Sequence, residues 1–135
     1  MLNKNEFTKI RNEMHRLDDK REDIIQTSRV IINLSKQVIY AVQRNDLKDA
    51  ASAIKKIKDN VNKLRKVNIA TDTNINSVAF KEYVEAIAFY EFVKNGKVPT
   101  RASLGVSAED YLSGLCDLTG ELVRKAIYEV IHKKF

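Results

Sequence analysis

Breaks are scarce in this chain. Proline occurs once, at Pro99, and glycine four times in 135 residues. With so few residues that end helices, and apolar side chains recurring at helical spacing, the first reading is an all-α protein. Long apolar runs are missing as well. Nothing approaches the roughly 18 consecutive apolar residues that a membrane-spanning helix needs, and the N-terminus MLNKNEFTKIRNEMHR has no apolar signal-peptide core. The single cysteine, Cys116, excludes an internal disulfide and fits a reducing, cytoplasmic setting. There is no glycine-rich phosphate loop and no Cys/His zinc spacing. No histidine falls near Cys116 in the expected layout, so that thiol has no base to activate it.

What the chain does have is periodicity and charge. Hydrophobic residues make up 44% and charged residues 31%, enough for one soluble domain with a real core. The net charge of +6 is unevenly divided: residues 1–66 hold 16 Lys/Arg against 9 Asp/Glu, whereas residues 67–135 hold 8 against 9. A basic half joined to a near-neutral half suggests an anionic polymer partner, nucleic acid first. Lysine-rich helix faces that are merely solvated account for the same balance.

Four long helices are expected. The first, about residues 3–44, carries a stripe of Phe7, Ile10, Met14, Leu17, Arg21, Ile24, Ser28, Ile31, Ser35, Val38 and Val42. That spacing is the seam of a coiled-coil-like bundle. Such a helix is about 60 Å long and needs partners along its length, so an elongated antiparallel bundle that oligomerises is expected. Asp46 is a plausible N-cap for the second helix, whose seam is Leu47, Ala50, Ile54, Ile57, Val61 and Leu64. Its other face is lysine-rich. The third helix, about 73–94, closes near Gly96 and places Glu82 and Glu85 on its seam with Ile75, Val78, Phe89 and Phe92. A loop around Pro99 with room for one helical turn follows, and Ser107 resembles the start of a capping box. The fourth helix is expected from about 108 to the end, with Leu112, Leu115, Leu118, Leu122, Ala126 and Val130 as its main apolar face. Asp110, Gly114, Asp117, Glu121, Arg124 and Tyr128 form another face. Gly114 and Gly120 flank the carboxylates, which suggests close approach by a neighbouring backbone or a ligand.

The spacings of Glu82 with Glu85 and of Asp117 with Glu121 place each pair on one face of its helix. If the two faces meet, four like charges converge and raise one another's pKa values. Mg²⁺ or Mn²⁺ is the natural compensation, since these hard cations prefer carboxylate oxygens, and such an ion can activate water for phosphodiester hydrolysis. A di-iron carboxylate bundle calls for Glu-x-x-His on two helices; with His15 and His132 the only histidines, that reading is poor. Ordinary helix-surface acids, or acids paired with Arg21, Arg29 and Arg124, fit the spacing too.

KEYVEAIAFYEF (81–92) followed by DYLSGLCDLTGELVRKAI (110–127) resembles the translin family, most closely its translin-associated factor X (TRAX) branch, archaeal-type TRAX-like proteins included. LDDKREDIIQTSRVIINLSKQVIYAVQR (17–44) resembles that family's long first helix. The resemblance implies long antiparallel helices assembled into closed or open barrels, commonly octamers, around an internal cavity. TRAX-type subunits of that family are Mg²⁺-dependent ribonucleases. Their catalytic and metal-holding carboxylates match Glu82 and Glu85 in EYVE and Asp117 and Glu121 in DLTGE. Family members usually continue past this point with further helices, so the expectation is a minimal version or one completed by a second chain. The function expected is a Mg²⁺- or Mn²⁺-dependent ribonuclease acting on single-stranded RNA, with Arg21, Arg29 and Lys36 contacting phosphates. The alternative is a non-catalytic, oligomeric binder of RNA or single-stranded DNA. Tyr83, Tyr90 and Tyr128 could stack bases, but core packing is their simpler use.

Overall fold

Asn3 starts the first helix: its side chain accepts hydrogen bonds from the backbone N–H groups of Asn5 (3.0 Å) and Glu6 (3.4 Å). The helix, α1, runs Lys4–Gln43 in a computed structural model that describes residues 1–67 and 75–132. It ends in a tight reversal in which Asn45 takes φ +65°, the left-handed conformation that asparagine tolerates better than most residues. Asp46 then caps α2 (Leu47–Lys66) by accepting from Asp49 N–H at 3.1 Å, as expected. So short a turn forces α1 and α2 to run antiparallel.

The link expected at 68–74, and the first two residues expected for the third helix, lie outside the described residues. α3 is described from Ile75 to Asn95 and stops at Gly96, φ +69°. The single turn near Pro99 is α4, Arg101–Leu104, capped by Thr100 and closed by Gly105 at φ +65°. Ser107 caps α5 (Ala108–Ile131) through Asp110 N–H at 3.1 Å. The box is not reciprocal: the Asp110 carboxylate accepts instead from the Ser77 hydroxyl of α3 at 2.8 Å.

The link between α3 and α5 folds back along α3. Arg65 of α2 donates to the carbonyls of Leu104 and Gly105, and Tyr111 donates its hydroxyl proton to the Pro99 carbonyl at 2.8 Å. As a result α5 starts beside the beginning of α3 and runs in the same direction. Ser77 meets Asp110, and Val84 meets Gly114. At Gly114 an added Cβ would sit 2.6 Å from the Val84 side chain, so the close approach expected there is real. Gly120 has nothing within 4 Å, so no neighbouring backbone of the described residues approaches it.

The core is narrower than the helices are long. Ile24, Ile31, Val38 and Val42 of α1 pack with Ile57, Val61 and Leu64 of α2 and with Val84 and Phe89 of α3. Ser28 and Ser35 are fully buried on the same seam, their hydroxyls without partners among the described residues. The N-terminal half of the seam has no partner among the described residues: Phe7, Ile10, Met14 and Leu17 are exposed. Arg21, on the same seam, is likewise exposed, because it lies in this projecting segment.

Two other expected faces shift. Val78 and Phe92 of the α3 seam are exposed, whereas Tyr83 through Tyr90 are all buried, because α1 and α5 cover α3 from two sides. In α5 the packed positions are Asp110, Gly114, Leu118 and Lys125; Leu112 and Val130 of the expected apolar face are 61% and 62% exposed. Gly114 draws the helix onto α3 along its small-residue side, so that within the expected row Leu118 is buried, Leu115 and Leu122 are half-buried against the core, and Leu112, Ala126 and Val130 face outward.

Candidate functional site

The parallel course of α3 and α5 puts the two acid pairs at one level. Glu85 is buried at 6% exposure, Glu82 and Glu121 are half-buried, and Asp117 is exposed. The charges of Asp117 and Glu121 reach both α3 glutamates. Burial pushes the Glu85 carboxyl up to about 7, with Glu82, Asp117 and Glu121 raising it further and Arg124 opposing. Burial also raises Glu82, against the pull of Lys36, and the charges of Asp117 and Glu121 add to the rise. The convergence expected from the sequence is present.

Among the described residues, Glu121 alone of the four has direct partners. Gln43, the last residue of α1, donates from Nε2 to the Glu121 carboxylate at 2.9 Å and to its backbone carbonyl at 3.0 Å. Arg124 lies 3.6 Å from the same carboxylate. Among the described residues, no hydrogen bond or ion pair engages Glu82, Glu85 or Asp117.

The donor set fits a hard divalent cation in kind: oxygen ligands only, net charge strongly negative, and one buried carboxylate with no donor against it. In the present rotamers the set is not gathered. Among the described residues no three Asp, Glu, His or Cys side chains come close enough to hold a metal ion together.

The basic candidates separate. Lys36 is exposed and near enough to Glu82 to act on it. Arg29, one heptad earlier, is exposed on the same side of α1, about 10 Å further along the axis. Arg21 lies in the projecting segment, remote from the acids, and neither arginine pairs with them. Tyr83 and Tyr90 are buried, which rules out free stacking platforms, while Tyr128 stacks on His132 with ring centroids 4.0 Å apart.

Sequence reading missed three groups. Gln43 is one. Lys125 is another: it is buried, donates to the Gln43 carbonyl (3.1 Å) and to Asn45 Oδ1 (2.6 Å), and pairs with Glu129 at 2.8 Å. Both look like surface residues in a helical pattern, and only their contacts across about 80 residues of sequence reveal them. The third is Glu129-x-x-His132, which does have the Glu-x-x-His spacing. There Glu129 is engaged by Lys125 and Asn45, and His132 Nδ1 lies 2.8 Å from the Tyr128 carbonyl, so the motif closes a helix end.

Comparison with known proteins bears on the family and the fold. The Translin family profile matches residues 19–135. A translin-associated protein X homolog of Schizosaccharomyces pombe is 28% identical over 88% of this chain and 59% of its own length. An uncharacterized protein of Methanocaldococcus jannaschii is 31% identical over 82% of this chain and 51% of its own. The chain thus spans between half and three-fifths of the curated relatives it matches. The crystal structure of apo-NeC3PO superposes with a TM-score of 0.86 at 28% identity, covering 98% of this chain and 72% of that one. The all-α bundle is that of the translin/C3PO neighbour, a fold that forms oligomeric barrels. On sequence and on fold alike, the chain belongs to the Translin family.

Proposed function

We propose that this chain supplies the carboxylate site of a Mg²⁺- or Mn²⁺-dependent ribonuclease acting on single-stranded RNA, as TRAX-type subunits do. The observation that carries the reading is Glu85: a buried carboxylate with no compensating donor, facing Glu82, Asp117 and Glu121 from two helices. A protein retains such a destabilising group where it has a use, and clustered, perturbed carboxylates are a mark of functional sites. A divalent cation held by these oxygens would supply charge neutralisation and a more acidic water for attack on phosphorus. Glu82, Glu85, Asp117 and Glu121 are the residues that would hold it. Glu121 is oriented by Gln43, and one of the two α3 glutamates takes up the attacking water's proton. Lys36 and Arg124 stand at the rim, where phosphate oxygens approach, and Arg29 extends the basic track along α1.

The working form is a homo-oligomer, an octamer or open barrel, completed by further helices or by a second chain. The bare apolar stripes on α1 and α5 support this, because exposed rows of that size mark interaction surfaces. We place the protein in the cytoplasm on its single free cysteine, Cys116.

A second reading has its own support. The four acids are not gathered into a coordination sphere, which favours a translin-type protein that binds RNA or single-stranded DNA without turnover. Incubating labelled single-stranded RNA with the protein in Mg²⁺, in Mn²⁺ and in EDTA separates the two. Metal-dependent cleavage that a Glu85→Ala/Asp117→Ala variant lacks supports the enzyme. Binding without cleavage in either metal supports the binder, and cleavage that survives in the variant removes these acids from the site.

A further inference from the structure

We infer that Gln43 is the positioning residue of the carboxylate site: its side-chain amide fixes Glu121 against the α3 glutamates. This inference rests on the carboxylate-site reading above. Both of its hydrogen bonds go to acceptors, the Glu121 carboxylate oxygen Oε2 and the Glu121 backbone carbonyl. Only the NH₂ side of an amide can serve two acceptors, so the partners settle which way the amide points. The pair of bonds differs from a casual surface contact in what it controls. The bond to the backbone sets where this turn of α5 lies, and the bond to the carboxylate sets the Glu121 rotamer.

Gln43 is itself held. It is half-buried at the last turn of α1, and its own carbonyl accepts from the buried Lys125 ammonium at 3.1 Å. Lys125 also reaches Asn45 Oδ1 at 2.6 Å, so the reversal after α1 and the next turn of α5 are bolted together. α1 and α5 otherwise share little packing, and these polar bolts define their relative position. Of the four acids, Glu121 alone is tied to the α1 core, while Asp117, four residues earlier on the same helix, has no such tether. Side chains that orient ligating carboxylates through hydrogen bonds typically change metal affinity by about 10–100-fold when removed. Gln43 occupies that role for Glu121.

The test uses Gln43→Met, which keeps length and flexibility but has no donor, and Gln43→Glu, which keeps the shape and sets an acceptor against an acceptor. Mn²⁺ affinity is measured by calorimetry or electron paramagnetic resonance, in the wild-type and Glu121→Gln backgrounds, with unfolding midpoints recorded for every protein. Expected is a roughly 10-fold or greater loss of Mn²⁺ affinity for Gln43→Met that largely vanishes in the Glu121→Gln background. For RNA cleavage the loss should fall on kcat and leave KM for RNA unchanged, because Gln43 lies beneath the site. Affinity unchanged within twofold, or lost equally in both backgrounds, overturns the inference. If Gln43→Met does not fold, Gln43→Glu carries the same comparison. If the wild type binds no Mn²⁺, the site reading itself fails; the unfolding midpoints then decide the Gln43–Glu121 link, and additive effects of the two substitutions overturn it.

Discussion

Glu85→Gln should make the protein more stable while removing its function, and the size of the gain depends on pH in a defined way. The Glu85 carboxyl stands at about 7 in the folded protein against an ordinary 4.5. A raised acid is held protonated by the native state. Below pH 4.5 both folded and unfolded forms carry the proton and the group costs nothing. Between 4.5 and about 7 the unfolded chain ionises first, and stability falls by ~1.4 kcal/mol per pH unit. Above 7 the full cost is present, roughly 3 kcal/mol. Glutamine removes the charge but keeps an amide that still needs partners, which takes back about 1 kcal/mol. The expected net gain is therefore about 2 kcal/mol at pH 8, or about 8 °C in Tm for a chain of this size, turning into a loss of about 1 kcal/mol at pH 4, where only the amide cost remains. Thermal unfolding followed by circular dichroism in EDTA, at fixed protomer concentration, measures it. Adding Mn²⁺ at pH 8 should then raise the wild type by RT ln(1 + [Mn²⁺]/Kd), about 2.7 kcal/mol at 100-fold excess over Kd, and raise the variant much less. A variant no more stable than the wild type at pH 8 would refute the reasoning. So would a gain that persists unchanged at pH 4.

Opposite signs are expected at the two α5 glycines. Gly114→Ala forces a methyl group to within 2.6 Å of Val84 and should cost a net 1–2 kcal/mol, roughly, whereas Gly120→Ala meets nothing and should add about 0.5–1 kcal/mol of helix propensity; urea unfolding of both settles the sign. Replacing Ile127 and Val130 by glutamate on the bare stripe should leave the protomer fold within about 0.5 kcal/mol but shift the mass seen by light scattering toward the 15.5 kDa protomer, and an unchanged mass would remove that stripe from the interface. RNA binding should weaken with salt, and Arg29→Gln/Lys36→Gln should reduce the log–log slope by about 1.4, at ~0.7 per phosphate contact on single strands; an unaltered slope would show that these two side chains touch no phosphate.

Much of this molecule is local physics written in order along the chain. Scarce breaks and a 3–4 apolar rhythm set helices, Asp46 and Ser107 cap them where their side chains reach the next free N–H, and Gly96 and Gly105 end them because they tolerate positive φ. The acid pairs, too, follow from spacing within single helices. None of that says which faces meet. The direction of α5 relative to α3 depends on a link folding back over Arg65, and the choice of the line through Asp110, Gly114, Leu118 and Lys125 as the packing face depends on how closely two backbones can approach. From these came the outward apolar stripe, the parallel register that brings Glu82 and Glu85 to Asp117 and Glu121, and the tether from Gln43. Residues 43 and 121 carry no mark of each other in sequence, since a hydrogen bond between distant segments is a property of distance in space, and only the folded chain sets that distance.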